Sequence, residues 1–114
     1  SFSYTWEEIN NKIKSLSNYL TNLISKNDRC VLLSENRPEW FISDLAIMNA
    51  GGVTVPLFTT YSENDYKYII NDCKPKVCIV SNAEQLKKIK KYINNKIILI
   101  SVDKFDQRLT QQHV

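Results

Sequence analysis

The stretch ENRPEWFISDLAIMNAGGVTVP, residues 35–56, decides the fold of this chain. It contains a polar helix start, an almost wholly apolar helix, a Gly-Gly break and a β-branched strand. A helix of this composition is expected to be buried on most sides, and its return into a strand is typical of an α/β layer structure. The predicted fold class is therefore α/β, with a layered, parallel-type sheet and flanking helices.

Helix starts can be recognised from the spacing of polar residues. In the quoted stretch, Asn36 stands three residues before Glu39 and is the predicted N-cap, with Pro38 in the first turn, where its missing amide hydrogen costs nothing. Three further pairs have the spacing of a capping box. They are Thr5 with Glu8, Ser62 with Asp65, and Ser81 with Glu84.

Short apolar runs between the helices are predicted strands. The runs are residues 29–34, 53–58, 76–80 and 96–102. Strands separated by helices favour right-handed crossovers and a parallel sheet. Pro56 removes one ladder donor, so its strand is expected at an edge or to end there. The first helix carries apolar residues from Trp6 to Leu23 on one face and is predicted to end near residues 26–28.

Length and composition limit the class of protein. At 114 residues the chain is one domain at most, with residues 1–102 as an α/β subdomain and residues 103–114, where periodicity is lost, as a loop or severed connection. The 43% hydrophobic and 24% charged residues match globular averages. No apolar run approaches the ~18 residues of a transmembrane helix, and no secretory signal is expected. Localisation is predicted to be cytoplasmic, with peripheral membrane contact as an option.

Positive charge is concentrated near the fourth predicted helix. The net charge of +3 is too small by itself to indicate a nucleic-acid partner, and none is expected. One interpretation of the lysine cluster is a patch for phosphates or anionic lipid. The favoured alternative is the solvated side of an amphipathic helix whose inner side holds Leu86, Ile89 and Ile93. The cluster consists of Lys87, Lys88, Lys90, Lys91 and Lys96.

The residue types that carry most enzyme chemistry are poorly placed. Cys30, Cys73 and Cys78 form no CxxC pair, so buried, reduced thiols are predicted and a zinc site is not. The single histidine, His113, lies in the aperiodic tail, which argues against a catalytic triad. The chain has two glycines, and neither stands at the first strand-to-helix turn. A dinucleotide fingerprint and a Walker loop are thereby excluded.

Arg37, Glu39 and Trp40 follow the first predicted strand, at the edge where open α/β sheets bind ligands. One interpretation is a small recognition cluster. The favoured alternative is that Arg37 and Glu39 serve the electrostatics of the helix terminus and that Trp40 packs against the neighbouring layer.

Residues 31–82, VLLSENRPEWFISDLAIMNAGGVTVPLFTTYSENDYKYIINDCKPKVCIVSN, resemble the amino-terminal region of adenylate-forming acyl-CoA synthetases. These AMP-dependent ligases also include luciferases and peptide-synthetase adenylation domains. The opening YTWEEINNKIKSLSNYL is similar to the helix that precedes this region. ENRPEW with the following AGGVTVPLF points to the long-chain fatty acid branch. The matching positions, for which the resemblance implies an architectural role, are Asn36, Arg37, Pro38, Glu39, Trp40, Gly51, Gly52 and Pro56.

The resemblance implies a two-step reaction. A fatty carboxylate attacks the α-phosphate of Mg-ATP to give acyl-adenylate and pyrophosphate, and coenzyme A then displaces AMP. The family motifs for this chemistry, such as TSGTTGxPKG, do not occur in this sequence, and TTYSEN at residues 59–64 lacks their glycines and lysine. ATP, Mg and coenzyme A are therefore implied for a full-length parent. No catalytic, cofactor-binding or metal-binding residue is assigned to this chain.

These observations predict the amino-terminal piece of a long-chain fatty acid:CoA ligase, inactive alone, with the remainder of the ligase chain as its partner and a fatty acid as the parent's substrate. One alternative is a free-standing α/β interaction module without catalysis. Another is a membrane-surface binder that uses the lysine cluster. Exposed sheet edges and apolar helix faces would further predict self-association of the piece.

Overall fold

A computed structural model describes residues 4–103. Helices and strands alternate along this part of the chain. In order, they are α1 (Trp6–Thr21), β1 (Arg29–Leu33), α2 (Pro38–Asn49), β2 (Val53–Leu57), α3 (Glu63–Cys73), β3 (Val77–Val80), α4 (Ala83–Ile89), a short 3-10 helix (Lys90–Tyr92) and β4 (Ile98–Ser101). The predicted strands are confirmed within one or two residues at each end. The predicted loop or severed connection at residues 103–114 falls outside the described residues from residue 104 onward.

The sheet has four parallel strands in the order β2-β1-β3-β4. Val31 of β1 pairs with Val55 of β2 on one side and with Cys78 of β3 on the other. The α/β class with a parallel sheet and flanking helices is confirmed. Pro56 lies in β2, at one edge of the sheet, where a strand residue without an amide hydrogen is tolerated.

Alternate residues of the central strands supply two separate cores, because neighbouring side chains of a strand point to opposite faces. Leu32 and Ile79 lie in the first core, beneath α1 and α2. Leu33 and Val80 lie in the second core, beneath α3 and α4. We call these the α1/α2 face and the α3/α4 face. All four side chains are fully buried, so β1 and β3 are covered on both faces.

The first helix is shorter than its apolar pattern predicts. It ends at Thr21 instead of near residues 26–28. In the loop that follows, the carboxylate of Asp28 accepts a hydrogen bond from the amide of Ser25 at 2.8 Å. At the other end, Trp6 was expected on the inner face, but 81% of its surface is exposed. The periodicity places Trp6 on the correct side of the helix, but no described part of the chain covers the first turn there.

Two of the predicted helix caps are wrong by one residue. Arg37, and not Asn36, is the N-cap of α2, and no side chain caps this helix, whose first residue is Pro38. Asn82, and not Ser81, caps α4, since its Oδ1 accepts from the amide of Gln85 at 3.2 Å. The boxes that begin at Thr5 and Ser62 are confirmed.

Burial of α2 differs most from the prediction. The helix was expected to be buried on most sides, but only one side, with Ile42, Ala46 and Ile47, is enclosed. The opposite side leaves large apolar side chains in solvent. They are Phe41, Leu45 and Met48, with exposed fractions of 59%, 41% and 58%.

The Gly-Gly pair returns the chain from α2 to β2. Gly51 has φ of +88°, a conformation that costs a residue with a side chain free energy. A Cβ on Gly52 would lie 2.8 Å from Cδ1 of Ile24 and 3.0 Å from Cγ2 of Ile47, both in the first core. The tight helix-to-strand return predicted for this pair is thus present.

Candidate functional site at the carboxyl edge of the sheet

The carboxyl edge of the sheet contains a topological switch point. From β1 the chain runs through α2 to β2, and from β3 it runs through α4 to β4, on the opposite side. The loops after β1 and β3 therefore diverge, and a crevice at such a point is where open α/β sheets bind ligands. This crevice is the natural candidate for a functional site.

The side chain of Glu35 bridges the crevice. Its carboxylate accepts a hydrogen bond from the Ser81 hydroxyl at 2.5 Å and another from Nδ2 of Asn82 at 3.2 Å. Both partners follow β3, whereas Glu35 follows β1. A charge-assisted link of this kind ties the two strand ends together. The protein's own carboxylate thus lies in the crevice.

A second carboxylate lies close by at the start of α2. Arg37 places Nη1 3.6 Å from Oε2 of Glu35 and Nε 3.5 Å from Oε2 of Glu39. The hydroxyl of Tyr4, just before α1, donates to Oε1 of Glu39 at 3.2 Å. The guanidinium is thus shared between two carboxylates.

The three residues of the suggested recognition cluster have separate structural contacts. Arg37 and Glu39 form the ion pair at the helix start, as the electrostatic alternative expected. Trp40 is half-buried against the first core and meets Phe41 edge-on, with ring centroids 5.8 Å apart. Each side chain therefore has a packing or electrostatic role that requires no ligand.

Glu35 remains ionised in this setting. Partial burial works to raise the pKa of Glu35, but the hydrogen bonds from Ser81, the backbone and Asn82 outweigh it and lower the pKa to about 2. A permanent negative charge at the switch point opposes the approach of phosphate groups. Because Arg37 is shared with Glu35 and Glu39, this edge offers an anion little net attraction.

Two cavities flank the bridge. One, of about 310 Å³, includes Arg37 and Asn82 in its lining and extends to Val102 and Asp103 after β4. The other, of about 450 Å³, lies between the ends of β1 and β2. The second cavity is mostly apolar. Its lining consists of Ser34, Glu35, Asn36, Trp40, Phe41, Leu57, Phe58, Thr59 and Thr60.

Four residues of the lysine cluster lie on α4 and the 3-10 helix, and Lys96 lies in the turn before β4. Nζ of Lys88 donates to the Thr59 carbonyl at 3.2 Å, and Nζ of Lys91 pairs with Glu63 at 2.8 Å. Ile89 is fully buried in the second core. Leu86 and Ile93 pack against the same core. The amphipathic interpretation is confirmed for Leu86 and Ile89 of α4, whereas Ile93 follows the 3-10 helix and is not part of the predicted helix.

In the described residues, neither the thiols nor any cluster of metal-ligating side chains forms a further functional site. Cys30, Cys73 and Cys78 are buried, as predicted. Burial raises the pKa of Cys30 to about 11 and that of Cys78 to about 12, so neither is a thiolate at neutral pH. Between residues 4 and 103, no group of three or more His, Cys, Asp or Glu residues could hold a metal ion. His113 lies outside this range.

Sequence reasoning missed the role of Glu35. The signal was present, because Glu35 and the Ser81-Asn82 pair each stand one or two residues beyond a predicted strand. In a parallel sheet, such positions meet at the same edge. Joining them required the strand order, which places β1 beside β3.

The comparisons with known proteins agree with this architecture. The family described as AMP-binding enzyme matches residues 1–113 of the chain. The chain therefore belongs to the AMP-binding enzyme family. Membership in this family defines the class of protein to which the chain belongs. The names of individual relatives point to a more specific group within that class.

Curated relatives in this family are fatty acid ligases. The chain is 40% identical over 60 residues to the long-chain-fatty-acid–CoA ligase ACSBG1 of Rattus norvegicus, a match that covers 53% of this chain and 8% of the relative. It is 30% identical over 93 residues to ACSBG1 of Bos taurus, covering 76% and 13%. Fatty acyl-CoA synthetase A of Dictyostelium discoideum is 38% identical over 65 residues, covering 55% and 10%. The chain thus spans about a tenth of these relatives.

Solved structures share the fold. VinN superposes with a TM-score of 0.80 at 17% identity, over 95% of this chain and 27% of VinN. The N-terminal subdomain of Klebsiella oxytoca NpsA superposes with a TM-score of 0.72 at 20% identity, over 94% and 26%. At these identities the likeness establishes the fold alone.

Proposed function

We propose that this chain is the amino-terminal structural portion of an ATP-dependent long-chain fatty acid:CoA ligase. The observation that carries the proposal is the 40% identity to a long-chain-fatty-acid–CoA ligase over residues that make up 8% of that relative. A match that covers so small a share of an enzyme is expected for a subdomain that supports the enzyme's active site. The parent would join a fatty acid to coenzyme A through an acyl-adenylate.

The described residues do not fit a triphosphate or its magnesium ion. Glu35 places a negative charge in the switch-point crevice, and Arg37 is shared between Glu35 and Glu39, so among the described residues this edge offers no free cation to a phosphate. The turn after β1 also lacks a glycine that would let the backbone approach a phosphate. ATP, Mg²⁺ and coenzyme A would therefore be held by the rest of the parent chain.

Within the parent, this portion would act as a rigid support. The Glu35 bridge joins the loops that follow β1 and β3, and the glycine pair fixes the return from α2 to β2. Rigid elements behind a site keep its groups in position. The apolar cavity of about 450 Å³ beside Phe58 opens on the same edge and would form part of a wall toward the acyl or nucleotide sites.

The test has two arms. The 114-residue chain, incubated with ATP, palmitate and labelled pyrophosphate, should show no exchange, whereas the product of the longer reading frame should exchange pyrophosphate only when a fatty acid is present. Exchange by the 114-residue chain would contradict its structural role. A reading frame that ends at residue 114, or a longer product that fails to exchange, would overturn the proposal.

Two other expectations remain proposals with less support. A free-standing interaction module would have the same fold as the amino-terminal portion of a ligase. The length of the reading frame distinguishes these two proposals. The proposal that the chain binds a membrane surface has less support, because Lys88 and Lys91 contact Thr59 and Glu63 within the chain. A cytoplasmic location stays a prediction. Among residues 4–103, no helix is long and apolar enough to cross a membrane.

A further inference from the structure

The amino edge of the sheet, opposite the switch point, contains a cavity of about 480 Å³, which we call the amino-edge cavity. It lies where the chain enters β1, β3 and β4, between the carboxyl end of α3 and the 3-10 helix. A volume of this size suits a small organic molecule. Its lining includes four cationic side chains, which are those of Arg29, Lys74, Lys76 and Lys96.

The charge in the amino-edge cavity is strongly unbalanced. Of the described residues that line it, Asp28 alone is a carboxylate, and its Oδ2 accepts a hydrogen bond from the amide of Ser25 at 2.8 Å. Among residues 4–103, no ion pair joins any of the four cations to a carboxylate. Four cations against one carboxylate leave an excess of three positive charges, as large as the formal net charge of the whole chain. An excess of this kind in a concave site attracts an anion.

Helix electrostatics explain only half of these cations. The carboxyl end of α3 carries a partial negative charge, which favours a cation beside it. Nη1 of Arg29 donates to the carbonyl of Cys73 at 3.3 Å, and Lys74 is the C-cap of α3. Lys76 and Lys96 instead precede β3 and β4 and lie outside every helix. Their convergence on the same cavity therefore requires another reason.

The rest of the wall offers neutral groups beside the cations. Tyr92 packs against the second core, which holds its ring in place. Asn71 and Asn94 add amide groups to the lining, and Oδ1 of Asn94 accepts from the amide of Lys96 at 2.8 Å. Cations bind phosphate oxygens, whereas an aromatic ring and amides suit an organic group attached to the phosphate.

We propose that the amino-edge cavity binds an organic phosphate, a monoester that carries about two negative charges at neutral pH. The guanidinium of Arg29 would donate to the phosphate oxygens, and the three lysines would act as neighbouring point charges. The positive excess repels a metal ion, so the ligand enters without magnesium and differs from the Mg-ATP of the proposed parent reaction. The site also lies at the opposite edge from Glu35, and it does not depend on the proposed function.

Lysine labelling of the product of the whole reading frame tests the proposal. Acetic anhydride acetylates accessible amines, and mass spectrometry gives the rate at each lysine. Lys74, Lys76 and Lys96 are exposed, as are the control residues Lys14 on α1 and Lys67 on α3. Phenyl phosphate is the soluble probe, and phenol is its uncharged control. Vesicles of phosphatidylcholine and phosphatidic acid present the same phosphate group on a lipid.

We expect saturating phenyl phosphate to slow acetylation of the three cavity lysines about tenfold and to leave the two control lysines unchanged, because a bound ammonium group is shielded from the reagent. Phenol should have no effect. Protection by the vesicles as well would retain the site and place its phosphate on a lipid headgroup.

Three results would overturn the proposal. One is equal slowing of all five lysines, or of none. Another is protection by the vesicles alone, since contact with a flat membrane would then suffice. The third is slow acetylation of the cavity lysines without any probe, which would mean that another part of the protein covers the cavity.

Paired variants separate the cavity from a general excess of positive charge. Lys76→Gln with Lys96→Gln should raise the concentration of phenyl phosphate that protects Lys74 about a hundredfold, or about tenfold for each lost charge-assisted contact. Lys14→Gln with Lys67→Gln removes the same charge elsewhere and should leave that concentration unchanged. All four substitutions are at exposed positions, where folding is little affected. An equal shift in both variants would contradict the site.

Discussion

The cores beneath the α1/α2 face and the α3/α4 face are equally buried, but the outer surfaces of the two helix layers differ. Beneath the helices, Leu32 on one face and Leu33 on the other are both fully buried. Above them, α2 presents Phe41 and Met48 to solvent, whereas α4 presents lysines. Burial of the sheet thus says nothing about what lies beyond the helices. The two helix layers therefore differ in the chemistry of their outer residues, charged on one and apolar on the other.

The difference between the two outer surfaces also affects which helix positions tolerate substitution. On a helix layer that faces water, charge substitutions at the outer positions are nearly neutral. On a layer that receives another part of the chain, the same positions are interface positions.

The inner and outer sides of α2 should differ sharply in this 114-residue chain. Ile47→Ala removes a fully buried side chain from the first core and should lower the free energy of unfolding by about 2–5 kcal/mol. Met48→Ala, one residue further on and 58% exposed, should change it by less than about 0.5 kcal/mol. Urea unfolding followed by tryptophan fluorescence measures both. Equal losses would contradict the exposure of Met48 on the outer side of α2.

The glycine return beside the first core should tolerate no added methyl group. Gly52→Ala would press a Cβ against Cδ1 of Ile24, 2.8 Å away, and should lower the free energy of unfolding by about 1–3 kcal/mol. Asn49→Ala, at an exposed helix end nearby, is the control and should have little effect. Urea unfolding of both variants measures the difference. An unchanged midpoint for Gly52→Ala would mean that Ile24 and Ile47 can shift apart.

The Glu35 bridge links the loops that follow β1 and β3 at the carboxyl edge, and its contribution to stability should depend on pH. The lowered pKa of Glu35, about 2, means that its stabilisation is fully present above the ordinary value near 4.5 and is lost as the pH falls toward 2. After allowance for solvent screening, Glu35→Gln should cost on the order of 1 kcal/mol at pH 7.

Unfolding curves for Glu35→Gln and the unsubstituted chain, recorded from pH 7 to pH 2.5, measure this contribution. The two should approach each other as the pH falls, because protonation of Glu35 progressively removes the stabilising charge that Glu35→Gln lacks at every pH. Glu84→Gln, at an exposed position in the first turn of α4, is the matched control. A constant gap between Glu35→Gln and the unsubstituted chain would indicate that the charge is not what stabilises the bridge.

The smallest effect is expected on the solvated face. Glu63 and Lys91 form an ion pair at 2.8 Å, but their side chains are 74% and 58% exposed. A double-mutant cycle with Glu63→Gln and Lys91→Gln should give a coupling energy below about 1 kcal/mol, and lower still at high salt. A larger value that resists salt would indicate that this face, too, is shielded from water.

Much of the fold could be predicted from the sequence because its determinants are local. The strand runs, the capping boxes at Thr5 and Ser62, and the Gly51-Gly52 return each depend on residues close together in the chain. The cap predicted at Ser81 was wrong because Asn82, with Gln85 three residues later, has the same spacing. The cap predicted at Asn36 was wrong because α2 begins at Pro38, which makes Arg37 the N-cap. In the structure, Ser81 donates to Glu35 instead of capping a helix.

The exposure of the apolar residues could not be predicted in the same way. Periodicity indicates which side of a helix is apolar, but α2 is apolar on nearly every side. The pattern therefore could not say that Ile47 is enclosed and Met48 is not. That choice depends on α1 and the sheet, which cover only one side of the helix.

By itself, the sequence determined the alternation of helices and strands, the parallel sheet and the family, because these follow from local spacing and residue type. Only the tertiary structure decided that β1 lies between β2 and β3, that Glu35 closes the crevice between the strand ends, and that one helix layer remains apolar outside. The physical reason is that hydrogen bonds and burial between distant residues depend on strand order, and local patterns do not specify that order.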